Sequence, residues 1–280
     1  MALKSAIINV LTMAAKKAAR GLVRDFGEVE QLQVSRKGPA DFVSVADKRA
    51  EKILIEELSK ARPGYGFLLE ETGTIEGKDN RRRWIVDPLD GTTNFLHGIP
   101  HFAISIALEE DGKITAGIVY QPITDELFWS EIGNGTYLDN QRLRVSGRRD
   151  LIQSVVATGI PFAGRGTAAD QSRFLSEMAT IMPEVAGIRR FGAASLDLAY
   201  VAAGRYDGFW ESGLEPWDIA AGILLVREAG GTATEFNGRT DMLKSGEILA
   251  TNTSLQGPLT RLLRNAHKAA SNVDSGAGAN

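Results

Sequence analysis

Arg81-Arg82-Arg83-Trp84-Ile85-Val86-Asp87-Pro88-Leu89-Asp90-Gly91-Thr92-Thr93-Asn94-Phe95 decides how the rest of this chain is read. Three arginines lead into the apolar run Trp84-Ile85-Val86, which predicts a buried strand. Pro88 has no N–H for a ladder, so the strand should close at Asp87. Side chains alternate along a strand, so on a continuing strand Asp87 and Asp90 would face opposite sides. They converge only if the chain turns at Pro88-Leu89, and Gly91 suits such a turn. Two carboxylates gathered this way repel each other unless a cation sits between them. Gly91-Thr92-Thr93-Asn94 then offers backbone N–H groups and hydroxyls on which an anion can rest. An acidic, solvated turn fits this stretch equally well, because Asp-Pro and Asp-Gly are ordinary turn pairs. Acidic positions elsewhere tip the balance.

The chain has 280 residues, 43% of them apolar and 24% charged, enough for a sizeable core in one large domain or two small ones. Basic and acidic residues number 32 and 35, giving a net charge of −3, so no nucleic-acid-binding surface is expected. There is no cysteine, which excludes disulfides, thiolate metal sites and a cysteine-nucleophile phosphatase. No stretch approaches the roughly 20 apolar residues of a spanning helix. Lys4, Lys16, Lys17 and Arg20 interrupt the N-terminal apolar pattern, so a signal peptide is not expected either. The expectation is a cytoplasmic protein without membrane attachment.

Residues 3–26 place Leu3, Ile7, Ile8, Leu11, Ala14, Ala15, Ala18 and Leu22 at helical spacing. A strand or loop should follow over 28–33, then a turn at Lys37-Gly38-Pro39. Ser44 to Arg62 predicts a second helix, with Ser44 as N-cap and Asp47 in its first turn. Asp47 reads equally as a simple cap partner. Tyr65 to Leu69 is a short strand with Glu70-Glu71 at its end, and Thr72 to Asn80 a loop. Phe102–Leu108 and Ile114–Tyr120 form a hairpin about Glu110-Asp111-Gly112, and Glu126–Ser130 and Gly135–Leu138 continue an antiparallel sheet. A second half runs through a strand at Val155, a helix Thr167–Met182, a short strand Gly187–Phe191 and a helix Ser195–Ala203. After it come a strand Tyr206–Trp210 feeding Glu211 and a helix opened by Pro216-Trp217-Asp218, where both Pro and Asp suit the first turn. A strand Ile248–Thr251 and a helix Leu255–Ala269 close the pattern. Residues 271–280 are Gly-, Ala- and Ser-rich and read as a disordered tail. The division expected is a single domain over 1–270, in two packed halves of about 1–145 and 150–270.

Glu70, the pair Asp87/Asp90, and Asp218 thus stand at element ends. Oxygen donors without clustered His or Cys select a hard cation, Mg²⁺ before Mn²⁺. His97, His101 and His267 have no zinc spacing and read as loop or surface residues rather than catalysts. A haloacid-dehalogenase nucleophile motif would require Asp two residues before Asp90, where this chain has Pro88.

Glu70-Glu71, the segment Trp84 to Phe95, and Pro216-Trp217-Asp218-Ile219-Ala220-Ala221-Gly222 together resemble the inositol monophosphatase family in its bacterial form, over almost the whole chain. The resemblance implies an α+β fold, a layered α/β/α/β/α sandwich, and a homodimer. It implies that Glu70, Asp87 and the Leu89 carbonyl hold one Mg²⁺, that Asp87, Asp90 and Asp218 hold a second, and that Glu70 holds a weaker third. Thr92 and Asp47 match the pair that, with Glu70, orients and deprotonates the attacking water. Gly91 and Thr92 N–H groups match the phosphate contacts. Glu211 and the Gly192-Ala193-Ala194 loop match the contacts to substrate hydroxyls, with Asp90 also facing the sugar and Asp218 beside it. Lithium sensitivity comes with the same resemblance.

The implied reaction is hydrolysis of a phosphate monoester, whose uncatalysed rate is so low that enzymic enhancements approach ~10²¹, so strong charge neutralisation is needed. The scaffold also serves fructose 1,6-bisphosphate, histidinol phosphate and phosphoadenosine phosphates, so fold and metal set do not fix the substrate. Glu211 favours a neutral polyol, myo-inositol 1-phosphate foremost, over a second phosphate. Glu215-Pro216 precedes Trp217 where members of the resembled family vary, so an altered pocket rim is expected there. A regulatory protein partner is compatible with the same sequence.

Overall fold

The computed structural model describes residues 4–28, 34–38, 41–161 and 166–277. Helix α1 (Ala6–Phe26) starts at Ser5, whose hydroxyl accepts the Ile8 N–H at 3.2 Å. Of the predicted stripe it buries Ile8, Leu11, Ala14, Ala15, Ala18 and Leu22 and half-buries Ile7, while Leu3 lies outside the described residues. Where only a turn was expected, β1 (Val34–Gly38) and β2 (Asp41–Ser44) pair antiparallel. Pro39 and the predicted strand or loop from residue 29 to 33 lie outside the described residues, as does the side chain of the expected cap Ser44. Next come α2 (Val45–Ala61), β3 (Tyr65–Leu69) and β4 (Gly73–Ile75). β4 corrects the loop predicted for Thr72 to Asn80: its backbone pairs with β3 although its residues carry no strand pattern.

β5 (Asp79–Asp90), α3 (Thr92–Leu96), β6 (Ala103–Glu110), β7 (Lys113–Gln121), β8 (Glu126–Glu131), β9 (Gly135–Leu138) and β10 (Gln141–Arg142) complete an eight-stranded sheet of order β10-β9-β8-β7-β6-β5-β3-β4. The predicted β6–β7 hairpin turns on Asp111 and Gly112 at φ 50° and 76°, the left-handed pair that a two-residue hairpin requires. Every pairing is antiparallel except β3 with β5. β5 also corrects the expected strand end at Asp87. The ladder continues past it, and Asp87 faces Ser105 while Asp90 faces Ala103, so 87 to 90 is matched against only 105 to 103. That bulge at Pro88-Leu89 accommodates a residue with no N–H and resets the alternation, turning both aspartates to one side.

The remaining elements are β11 (Val155–Thr158), α4 (Ala168–Ile181), β12 (Gly187–Arg189), α5 (Ala194–Ala202), β13 (Gly208–Glu211), α6 (Pro216–Glu228), β14 (Thr232–Thr234), α7 (Met242–Ser245), β15 (Ile248–Thr251) and α8 (Gln256–Ala277). Their strands form a mixed five-stranded sheet of order β12-β11-β13-β15-β14. α8 extends past the helix end predicted at Ala269.

Three apolar clusters stack these elements into five layers. α1 and α2 cover one face of the large sheet through Trp84, Val86, Phe102, Ile104 and Ile118. α5 and α6 fill the middle, between Ile85, Ala107, Val119 and Phe128 of the large sheet and Ala157, Phe209 and Ala250 of the small one. α8 covers the outer face of the small sheet through Leu259 and Leu263, with Leu255 just before it and Ile181 at the end of α4. The architecture is the expected α/β/α/β/α sandwich. Its middle layer is tight: a Cβ on Gly117 would lie 3.0 Å from the Ala221 Cα, and one on Gly222 2.4 Å from the Leu198 Cδ1. Among the described residues no helix is long and apolar enough to cross a membrane.

Candidate active site

Parallel pairing of β3 with β5 brings the C-terminal ends of both strands to one edge, where the Glu70 N–H donates to the Val86 carbonyl at 3.3 Å. The bulge is pinned by the Leu89 N–H, which donates to Asp87 Oδ1 at 2.8 Å. Asp218 arrives from the middle helical layer, in the first turn of α6. Its Oδ2 accepts the Glu215 N–H at 2.8 Å, so the cap role and the cluster role coexist in one carboxylate. Carboxylate oxygens of Asp87, Asp90 and Asp218 lie within 4.8 Å of one another, and all three residues are buried.

Burial, followed by the charges of Glu70, Asp90 and Asp218 and a hydrogen bond shared with Glu70, pushes the Asp87 carboxyl well above the usual carboxylate range. Proteins rarely keep buried like charges without a counter-charge. An all-oxygen, mutually repelling set of this kind is suited to a hard divalent cation, which removes both the repulsion and the need for a proton.

Beside the cluster, Thr92 opens α3. Its Oγ lies 3.2 Å from Asp47 Oδ1 and 3.0 Å from the Leu89 carbonyl oxygen, and its single proton can serve one of them at a time. Asp47 is completely buried, which a solvated cap partner would not be. Gly91, at φ 93°, is the N-cap of α3, and a Cβ there would lie 3.0 Å from the His101 carbonyl oxygen. Asn94, read with the anion-binding turn, instead donates from Nδ2 to the carbonyls of His101 and Phe191 at 2.8 and 2.7 Å. It thereby ties this turn to the Gly192-Ala193-Ala194 segment.

Ala194 begins α5, and Glu211 ends β13. Glu211 lies over Gly159 and borders a cavity of about 140 Å³ with Thr158, Ile160, Pro161 and Arg173.

Three buried residues at the site escaped the sequence reading. Glu51 accepts the Glu71 N–H at 2.9 Å and the Thr72 hydroxyl, holding the turn that carries Glu70. Its signal was available: it stands four residues after Asp47 and therefore on the same face of α2. Ser195 donates to Asp90 from both its N–H and its hydroxyl. Asp197 is held above the usual carboxylate range by burial, then by Glu211 and Asp90, and its Oδ1 has no hydrogen-bond partner. None of the histidines belongs to the acidic cluster. His101 is half-buried, and that desolvation lowers it to about 4, while His267 contacts Glu177 at 2.7 Å.

Comparison with known proteins bears on the family and the fold. The model of the inositol monophosphatase family matches residues 3–269. An inositol-1-monophosphatase of Mesorhizobium japonicum is 57% identical over 261 residues, 93% of this chain and 97% of its own length. A Nus factor SuhB of Vibrio cholerae is 45% identical over 244 residues, 87% of this chain and 90% of its own. The crystal structure of the extragenic suppressor protein suhB of Bartonella henselae superposes with a TM-score of 0.89 at 57% identity, covering 92% of this chain and 98% of that one. The chain belongs to the inositol monophosphatase family, a family of phosphoric monoester hydrolases.

Proposed function

We propose that this enzyme hydrolyses the phosphate monoester of a small polyol, myo-inositol 1-phosphate foremost, with Mg²⁺ as its metal and Mn²⁺ as a substitute. The buried Asp87, Asp90 and Asp218 cluster, with Glu70 on one side and the Thr92–Asp47 pair on the other, carries the reading. Glu70, Asp87, the Leu89 carbonyl, Asp90 and Asp218 are the groups that would hold Mg²⁺. When bound, Mg²⁺ neutralises phosphate charge and makes water more acidic.

The protein's own groups do the rest. Asp47 accepts a proton through the Thr92 hydroxyl, so that the Thr92 oxygen can in turn accept from the attacking water. N–H groups of Gly91 and Thr92, at the open start of α3, hold phosphate oxygens. Glu211, with Ala194 and Asp90 nearby, accepts from polyol hydroxyls and disfavours a second phosphate.

Phosphate release from myo-inositol 1-phosphate, fructose 1,6-bisphosphate, histidinol phosphate and adenosine 3′,5′-bisphosphate, measured with Mg²⁺ and with chelator, tests this directly. Release should be fastest from inositol phosphate, should fall to background in chelator, and should be inhibited by lithium. A different fastest substrate would revise only the polyol pocket, whereas release that persists in chelator would remove the metal from the mechanism.

Gly159→Ala probes Glu211 separately. The new Cβ would fall 1.9 Å from the Glu211 carboxylate, whose flexible end must move aside. Losing one hydrogen bond to a charged acceptor raises KM about tenfold with kcat nearly unchanged. An unaltered KM would mean that Glu211 does not touch the substrate.

A regulatory role through a protein partner is a second reading, favoured by the resemblance to relatives named Nus factor SuhB. Partner capture by an Asp87→Asn variant that no longer turns over substrate would support it. The homodimer is part of the main reading, and sedimentation would reveal it.

A further inference from the structure

α5 begins without a cap of its own. Its N-cap residue is Ala193, which has no side-chain oxygen, so the N–H groups of the first turn need an acceptor from elsewhere. Asp90 supplies it from the opposite sheet: Oδ2 accepts the Ser195 N–H at 2.8 Å and the Ser195 hydroxyl at 2.5 Å. Ser195 is completely buried. Two donors from one residue, converging on one oxygen, restrain how the carboxylate turns toward Asp87 and Asp218.

We propose that Ser195 is a positioning residue for the cation site, acting through the orientation of Asp90; this rests on the metal reading above. Without the hydroxyl, Asp90 loses one of the two donors that Ser195 gives it. It can then rotate away from Asp87 and Asp218, relaxing their repulsion in the metal-free protein. Cation binding has to reverse that rotation, so the loss falls on affinity. Removing such outer partners of a metal ligand typically costs about 10–100-fold in metal affinity. A purely structural tie between α5 and the large sheet would behave differently, lowering stability while leaving the affinity of the folded molecules alone.

Calorimetric titration of Mn²⁺ into the chelator-treated full-length protein, wild type against Ser195→Ala, separates these roles when the metal-free melting temperatures are measured alongside. A Kd for Mn²⁺ raised about 10–100-fold in the variant is the expected result. A Kd within twofold of wild type, whatever the melting temperature, overturns the positioning role while the metal reading stands. Absence of Mn²⁺ binding in the wild type overturns both.

Discussion

Asp87→Asn should lower kcat by about 10³-fold, the scale of losing a principal charge-stabilising group, and yet raise the melting temperature of the metal-free protein. The amide keeps an oxygen for the Leu89 N–H, so the bulge survives. What disappears is a buried negative charge facing Glu70, Asp90 and Asp218. In the folded, metal-free protein the Asp87 carboxyl titrates above its unfolded value of about 3.9, so the native state binds that proton more tightly than the unfolded chain does. Wild-type stability is therefore lost as pH rises from about 4 through the raised folded value. The amide has no such titration.

In chelator at neutral pH the variant should melt a few degrees higher, since each kcal/mol is worth about 2–4 °C in a chain of this size, and the gap should close toward pH 4. Thermal denaturation across that range, paired with a phosphate-release assay in Mg²⁺, measures both effects. A variant that melts lower than wild type in chelator at neutral pH would show that Asp87 is needed for the fold rather than for a cation.

Thr92→Val is the second large effect, and it should fall chiefly on kcat. Valine matches threonine in shape, so α3 and the Gly91 turn persist. The hydroxyl that lies between Asp47 and the Leu89 carbonyl is lost. General acid–base assistance contributes about 10²–10⁴-fold, and that is the expected fall in kcat. KM and Mn²⁺ affinity should change by far less than kcat, because the three clustered aspartates are untouched and only the Leu89 carbonyl loses a donor. Steady-state kinetics with a parallel Mn²⁺ titration would decide: kcat within a few-fold of wild type would mean that the Asp47–Thr92 contact is structural.

Much of this molecule was legible because its signals are local. The α1 stripe, the Asp111-Gly112 hairpin and the Pro216 helix start each depend on residues within a few positions of one another. Asp87 and Asp90 were legible as a pair, but the route to their convergence was not. A turn ending the strand and a bulge within it both satisfy Pro88, and only pairing with Ser105 and Ala103 tells them apart. β4, of three residues, and β1 with β2 carry too little alternation to stand out against loop. Ser195 was invisible for a different reason: its partner lies 105 residues away, and nothing near it announces that distance. The sequence pattern started that helix at Ser195 itself, and only the structure shows it beginning one residue earlier, capped by an alanine.

The sandwich also has a consequence for the order in which the protein comes into being. Asp87 and Asp90 leave the ribosome with the first sheet, but Asp218 and the α6 face that covers Ile85, Ala107, Val119 and Phe128 come later. At roughly 5–20 residues per second, the 128 residues from 90 to 218 take about 6–26 s to synthesise. Throughout that interval the set of acidic ligands is incomplete, and from the synthesis of β10 onward the finished sheet has an open apolar face. The first half must wait for the second, and the arrival of α6 both seals the core and completes the acidic cluster.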